Sequence, residues 1–167
     1  MESVFTRVDL LIRRITAGLV ILLMAAMTAA TLLGVLYRYV LNEALPWPEE
    51  LARYAMVWVA CLGSSLALRY GDHVAVEFIA QRMPPAARHR VLFGGRLLIL
   101  VFLVMMVVFG ADMTRQVSHQ QSAALEISMS VPNLAIPVGG LLMIYHLLVL
   151  MVRREGEAPR PPDLPTA

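Results

Sequence analysis

Polar and apolar positions alternate in long blocks along this chain. Residues 15–37 carry no charge, nor do residues 54–68, and residues 127–152 are uncharged throughout. A fourth apolar block, residues 91–111, is interrupted only by Arg96, close enough to its end to snorkel. The 54–68 block is framed by charge: Glu49, Glu50 and Arg53 precede it and Arg69 closes it. Pro46 and Pro48 are tolerated only ahead of a helix or in its first turn, so a helix is predicted to start near Pro48. From Glu49 to Arg69 that helix would run roughly 31 Å, about one hydrocarbon core. The pattern predicts an all-α integral membrane protein with four transmembrane helices, at about 15–37, 49–69, 91–111 and 127–152.

The connections refine this picture. Residues 1–14 read as a short polar lead with Arg7, Arg13 and Arg14, and the apolar block behind it exceeds the length of a signal-peptide core, so it reads as a retained first span. Within it Ala26, Ala30 and Gly34 form a small-residue stripe suited to close helix approach. Between the second and third spans, residues 74–82 can place Val74, Ala75, Phe78 and Ile79 on one face and Glu77, Gln81 and Arg82 away from it. This predicts a short interfacial amphipathic helix, ended by Pro84 and Pro85. Residues 112–126 read as a polar connection. Pro132 and Pro137 are expected to kink or delay the fourth span. Residues 1–152 form a single membrane domain, and the Pro-rich tail, residues 153–167, has the composition of a disordered segment.

Composition agrees, with 59% hydrophobic residues, 16% charged residues and a mean hydropathy of +0.69. Every basic residue is Arg, and a net charge of +2 dispersed along the chain gives no footprint for nucleic acid. The Arg do set an orientation. Most fall at the two ends and around the middle connection, whereas only Arg38, Arg53 and Arg115 flank the other two connections. Both termini are therefore expected in the cytoplasm, with Glu49, Glu50, Arg53 and residues 112–126 on the opposite side.

Candidate chemistry is sparse. Cys61 is the single cysteine, so no internal disulfide or cysteine metal site can form. A haem-bearing membrane anchor of a respiratory complex needs paired His within the helices; here His73, His89 and His119 fall in connections and only His146 lies in a span. A proton-coupled exporter needs a deep carboxylate, and the four apolar blocks contain none. No nucleophile–base pair, phosphate loop or metal-ligand spacing is present, so the sequence calls for no enzyme activity, cofactor or metal. Arg53 is within helical reach of both Glu49 and Glu50 and is expected to pair with one, leaving the other to cap the helix or to meet another subunit. Ala60, Gly63, Ser64 and Ala67 form a small-residue face that suits packing inside the chain's own bundle or docking on a larger partner. Trp47 sits at the membrane boundary and Trp58 deeper, in core or interface.

Residues 38–78, RYVLNEALPWPEELARYAMVWVACLGSSLALRYGDHVAVEF, resemble the signature of the small membrane subunit of TRAP transporters, the DctQ-like family. The shared pieces are Arg38–Asn42, Trp47–Arg53, Trp58, Leu62–Gly63 and Ala67–His73. Residues 121–143, QSAALEISMSVPNLAIPVGGLLM, add a second similarity, and the resemblance covers roughly residues 10–152. It implies a tripartite, ATP-independent uptake system in a bacterial inner membrane. A periplasmic binding protein captures a small organic anion, and a large membrane subunit translocates it on a sodium gradient. The small subunit acts as a scaffold that helps dock the binding protein. Partner-facing residues implied by the motif are Trp47, Glu49, Glu50, Arg53, Trp58, Gly63, Ala67, Arg69 and His73.

The orientation is checked with single cysteines at positions 3, 118 and 160 in a Cys61→Ala background. A membrane-impermeant thiol reagent added to intact cells labels only position 118, and labelling of position 160 contradicts the assignment.

Overall fold

The computed structural model of the chain describes residues 2–69 and 85–152. The expected amphipathic segment at 74–82, His73 and the tail at 153–167 lie outside the described residues. Among the described residues, four helices are long and apolar enough to cross a membrane. They are α1 (Glu2–Tyr39), α2 (Trp47–Arg69), α3 (Pro85–Gln116) and α5 (Ala135–Val152), with a short α4 (Ser130–Asn133) leading into the last. The all-α membrane architecture read from the sequence is thus present.

Helix limits differ from the expectations where no residue enforces a stop. The polar lead is part of α1, because no Gly or Pro separates it from the apolar block. Likewise α3 continues through Asp112 to Gln116 rather than ending at 111. At the far end of α1 the stop is explicit. Asn42 takes a left-handed conformation (φ 55°), which Asn tolerates better than most residues, and the Glu43 N–H turns back onto the Tyr37 carbonyl at 3.1 Å. The fourth span is interrupted early, as its prolines suggest. Pro137 has no N–H to offer the Asn133 carbonyl, and the chain breaks at Leu134 between α4 and α5. Thr16, Thr28 and Thr31 return their hydroxyls to the carbonyls four residues back at 2.8–2.9 Å, so these three polar side chains are satisfied within α1.

The spans pack as a row. α1 lies on α2, α2 on α5 and α5 on α3, and among the described residues the backbones of α1 and α3 make no close approach. Glycines set the two inner seams. A Cβ on Gly139 would sit 2.7 Å from the Cys61 Cβ of α2, and one on Gly140 would sit 2.7 Å from Val107 Cγ2 of α3. Two adjacent glycines thus let α5 touch a neighbour on each side, with Gly110 of α3 equally tight against Ile136. The α1–α2 seam uses Ala30, which is buried, and Gly34, whose added Cβ would meet Pro48 at 3.4 Å. Ala26, the third member of that stripe, stays exposed. On one side of the row a cleft of about 400 Å³ opens between α1, α2 and α5, walled by Leu19, Trp58, Leu62 and Leu142 among other apolar residues.

Gly139→Ala forces Cys61 and its backbone to move, and overpacking of this kind costs about 1–3 kcal/mol. In detergent, thermal unfolding of the purified subunit shifts downward for Gly139→Ala. It does not shift downward for Gly94→Ala, whose added methyl meets nothing within 4 Å.

Candidate functional site

The charged start of α2 is where sequence and structure meet most informatively. Trp47 and Pro48 open the helix, placing Glu49 and Glu50 in its first turn, where the helix dipole favours anions. The two carboxylates face different neighbours because successive helical residues are turned by about 100°. Glu49 is exposed and takes the Arg38 guanidinium of α1 at 2.7 Å, with both side chains more than half exposed. Glu50 is buried and points toward residues 122–125. Its carboxylate accepts the Tyr54 hydroxyl one turn along, and the backbone N–H groups of Ala124 and Leu125 at 2.7 and 3.2 Å. Buried Ser122 lies against the same carboxylate.

Glu50 therefore holds a loop. Residues 117–129 fold into a small antiparallel hairpin, closed by Ser122 N–H to the Ile127 carbonyl and Met129 N–H to the Gln120 carbonyl, each 2.9 Å. Glu126 supplies the left-handed residue (φ 53°) that lets the chain reverse. Two further contacts fasten α2 to the end of the hairpin and to α4: the Tyr54 hydroxyl lies 3.3 Å from Met129 Sδ, and Trp58 Nε1 donates to the Val131 carbonyl at 3.2 Å. Outward, the hairpin shows His119, Gln120, Gln121, Ala123 and Glu126.

This arrangement corrects the expected pairing of Arg53. Neither Glu49 nor Glu50 binds it; Arg53 is exposed and forms no salt bridge among the described residues. Its i,i−4 neighbour Glu49 is taken by Arg38, and Glu50, three residues back, is taken by Tyr54 and the Ala124 and Leu125 amides. The sequence motif also divides by face. Glu50 and Trp58 are spent within the chain, whereas Ala60, Ser64 and Ala67 are exposed and an added Cβ on Gly63 would meet nothing within 4 Å. Trp47 is half-buried, and the side chain of Arg69 lies outside the described residues. Sequence reading missed Arg38, Tyr54 and the 122–131 backbone as partners. Only Tyr54 left a signal, its four-residue spacing from Glu50. It also missed Asp9, which lies inside α1 and is 1% exposed; His146 is likewise fully buried.

Among the described residues no three His, Cys, Asp or Glu side chains gather as metal ligands. The large cleft is apolar apart from Thr16, whose hydroxyl is used by the Ile12 carbonyl. What the site can do is structural: hold a shaped polar hairpin at one membrane surface and present a helix face along the span.

A chain with four apolar spans, a pinned extramembrane hairpin and no assembled reaction centre among its described residues has the form of a multi-pass membrane component. Residues 27–156 match the family of tripartite ATP-independent periplasmic transporters, DctQ component, and the chain belongs to that family. It is 29% identical to the sialic acid TRAP transporter small permease protein SiaQ of Vibrio cholerae, over 75% of this chain and 73% of that one. It is also 29% identical to the C4-dicarboxylate TRAP transporter small permease protein DctQ of Rhodobacter capsulatus, over 74% of this chain and 56% of that one. A third relative, the sialic acid TRAP transporter permease protein SiaT of Haemophilus influenzae, is 32% identical over 68% of this chain, yet the match occupies only 18% of its length.

Replacing Glu50 by Gln removes the negative charge shared by two backbone N–H groups and the Tyr54 hydroxyl, and leaves one acceptor oxygen where there were two. Glu50→Gln speeds deuterium uptake at residues 120–129 and lowers the amount of folded subunit. Glu49→Gln removes an exposed pair worth roughly 0.2–1 kcal/mol and leaves both readouts near wild type. Equal behaviour of the two variants contradicts the hairpin-holding role of Glu50.

Proposed function

We propose that this chain is the small permease subunit of a sodium-driven TRAP uptake system in a bacterial inner membrane. It scaffolds the large translocating subunit and helps dock a periplasmic binding protein that delivers a small organic anion. The observation that carries this reading is the open row of spans. In the most apolar stretch of α1 only 6% of residues are buried within the chain, and in those of α2 and α3 only 17%. A chain that covers so little of its own helices is suited to widening a larger membrane body. SiaT supports the pairing, because its matched segment belongs to a permease chain several times longer.

The charged end adds the docking role. The Glu50-held hairpin and the Arg38–Glu49 pair lie at the same end of α2, the end that the Arg distribution assigns to the periplasm. A pre-shaped polar surface there binds a soluble partner without first paying to order a loop. Both termini then lie in the cytoplasm.

Co-expression with the large subunit of its transporter tests the reading. The two chains co-purify, and sodium-dependent uptake in proteoliposomes needs both together with the binding protein. Uptake that is unchanged when this chain is omitted contradicts the proposal, as does a haem absorption band from the chain purified alone.

A further inference from the structure

We infer that a recess between the end of α1 and the start of α2 binds a phospholipid with an ethanolamine headgroup, its phosphate on the Arg38 guanidinium and its ammonium on the Glu49 carboxylate. The inference goes beyond the transport role and does not depend on it. The recess encloses about 150 Å³. Arg38, Tyr39, Leu45 and Glu49 line its charged end, and Thr31, Gly34, Val35 and Pro48 complete its wall. From Tyr39 back to Thr31 it follows α1 for about 12 Å, from the charged boundary into the apolar span. The inner end offers no free donor, because the Thr31 hydroxyl is held by the Met27 carbonyl at 2.9 Å. Gly34 leaves the floor open where an added Cβ would meet Pro48 at 3.4 Å. One end therefore suits a charged group and the other a hydrocarbon chain. The recess lies on the α1 side of α2, whereas the hairpin held by Glu50 packs on another side.

The ionic pair selects the headgroup. Arg38 and Glu49 touch through one guanidinium nitrogen, Nη2, and one carboxylate oxygen, Oε1. Neither side chain makes another hydrogen bond or ion pair among the described residues, and both are more than half exposed. A guanidinium has five N–H donors and a carboxylate two oxygens, so each keeps capacity for a charged ligand. A free phosphate or an anionic lipid gains the cation but meets the carboxylate held 2.7 Å from it. A zwitterion laid beside the pair satisfies both charges through charge-assisted hydrogen bonds. Ethanolamine fits better than choline, since its ammonium donates N–H bonds to Glu49 and a quaternary ammonium has none to give. A helix, about 10–12 Å across, does not enter a recess of this volume.

The test places the full chain in lipid nanodiscs with a phosphatidylethanolamine analogue that carries a photoactivatable group on the first carbons of one acyl chain. Adducts map by mass spectrometry to residues 31–39 and 45–49. Unlabelled phosphatidylethanolamine suppresses them about tenfold more effectively than phosphatidylglycerol or phosphatidylcholine, the effect of one charge-assisted hydrogen bond. Water-soluble glycerophosphoethanolamine does not suppress them, because the hydrocarbon contacts belong to the site. Glu49→Gln abolishes the preference for ethanolamine over glycerol. Val35→Trp fills the recess with both charges in place and removes the adducts, while Glu49→Gln keeps wild-type membrane abundance. If Val35→Trp does not fold, the competition in the wild-type chain decides the question. Equal suppression by the three lipids marks ordinary boundary lipid only and overturns the proposal. Suppression by glycerophosphoethanolamine overturns the lipid as occupant, and adducts spread evenly over α1 and α3 overturn the site. Adducts of the lone chain that vanish when the large subunit is co-expressed also overturn it, since a protein partner then covers the recess.

Discussion

A single buried carboxylate organises one end of this molecule. Glu50 lies in the first turn of α2, where the helix dipole already favours it, and its remaining acceptor capacity is used by Tyr54 and the Ala124 and Leu125 amides. Those amides sit in a connection that otherwise has to satisfy its backbone at a membrane boundary. By binding them, Glu50 fixes the hairpin, and the hairpin fixes where α4 and α5 enter the membrane. Trp58 extends the same attachment one turn deeper, through the Val131 carbonyl. Without this anchor, α2 and α5 would still be apolar helices, but their relative height would rest on packing alone.

Packing contributes the second constraint. Lipid tails are as apolar as the side chains they replace, so membrane helices associate through close contact and hydrogen bonds rather than through exclusion of water. The inner seams follow that rule. Gly139 and Gly140 open α5 to a neighbour on each side, and Gly110 lets α3 approach in return. The outer faces follow it less: long aliphatic and aromatic residues predominate on α3 and alternate with exposed Ala25, Ala26 and Ala29 on α1, and the spans form a row rather than a closed bundle. Such a row has two broad sides, which fits the scaffolding role proposed for the chain.

The ionic pairs show why a charge at a membrane surface cannot be read from helical spacing alone. Arg53 stands four residues from Glu49, the favourable arrangement in an isolated helix. Arg38, eleven residues before Glu49, reaches it instead, because the tight end of α1 at Asn42 folds the connection back and brings the two helix ends together. The exchange leaves a guanidinium on the outer face of α2 and ties α1 to α2.

The number of spans, the start of α2 after its prolines, the break near Pro137 and the family are legible in the residues alone, since these depend on local apolar length, missing N–H groups and short ordered motifs. The residues also mark Glu50 and the small side chains of α2 as unusual. Where they point is set by contacts between helices. Glu50 turns inward because its partners lie more than seventy residues away, at Ala124 and Leu125. Gly63 turns outward because α5 meets α2 at Cys61, on another side of the helix. Helical periodicity fixes which residues share a face; which face meets a neighbour is set by how separate helices pack, and no local pattern contains that.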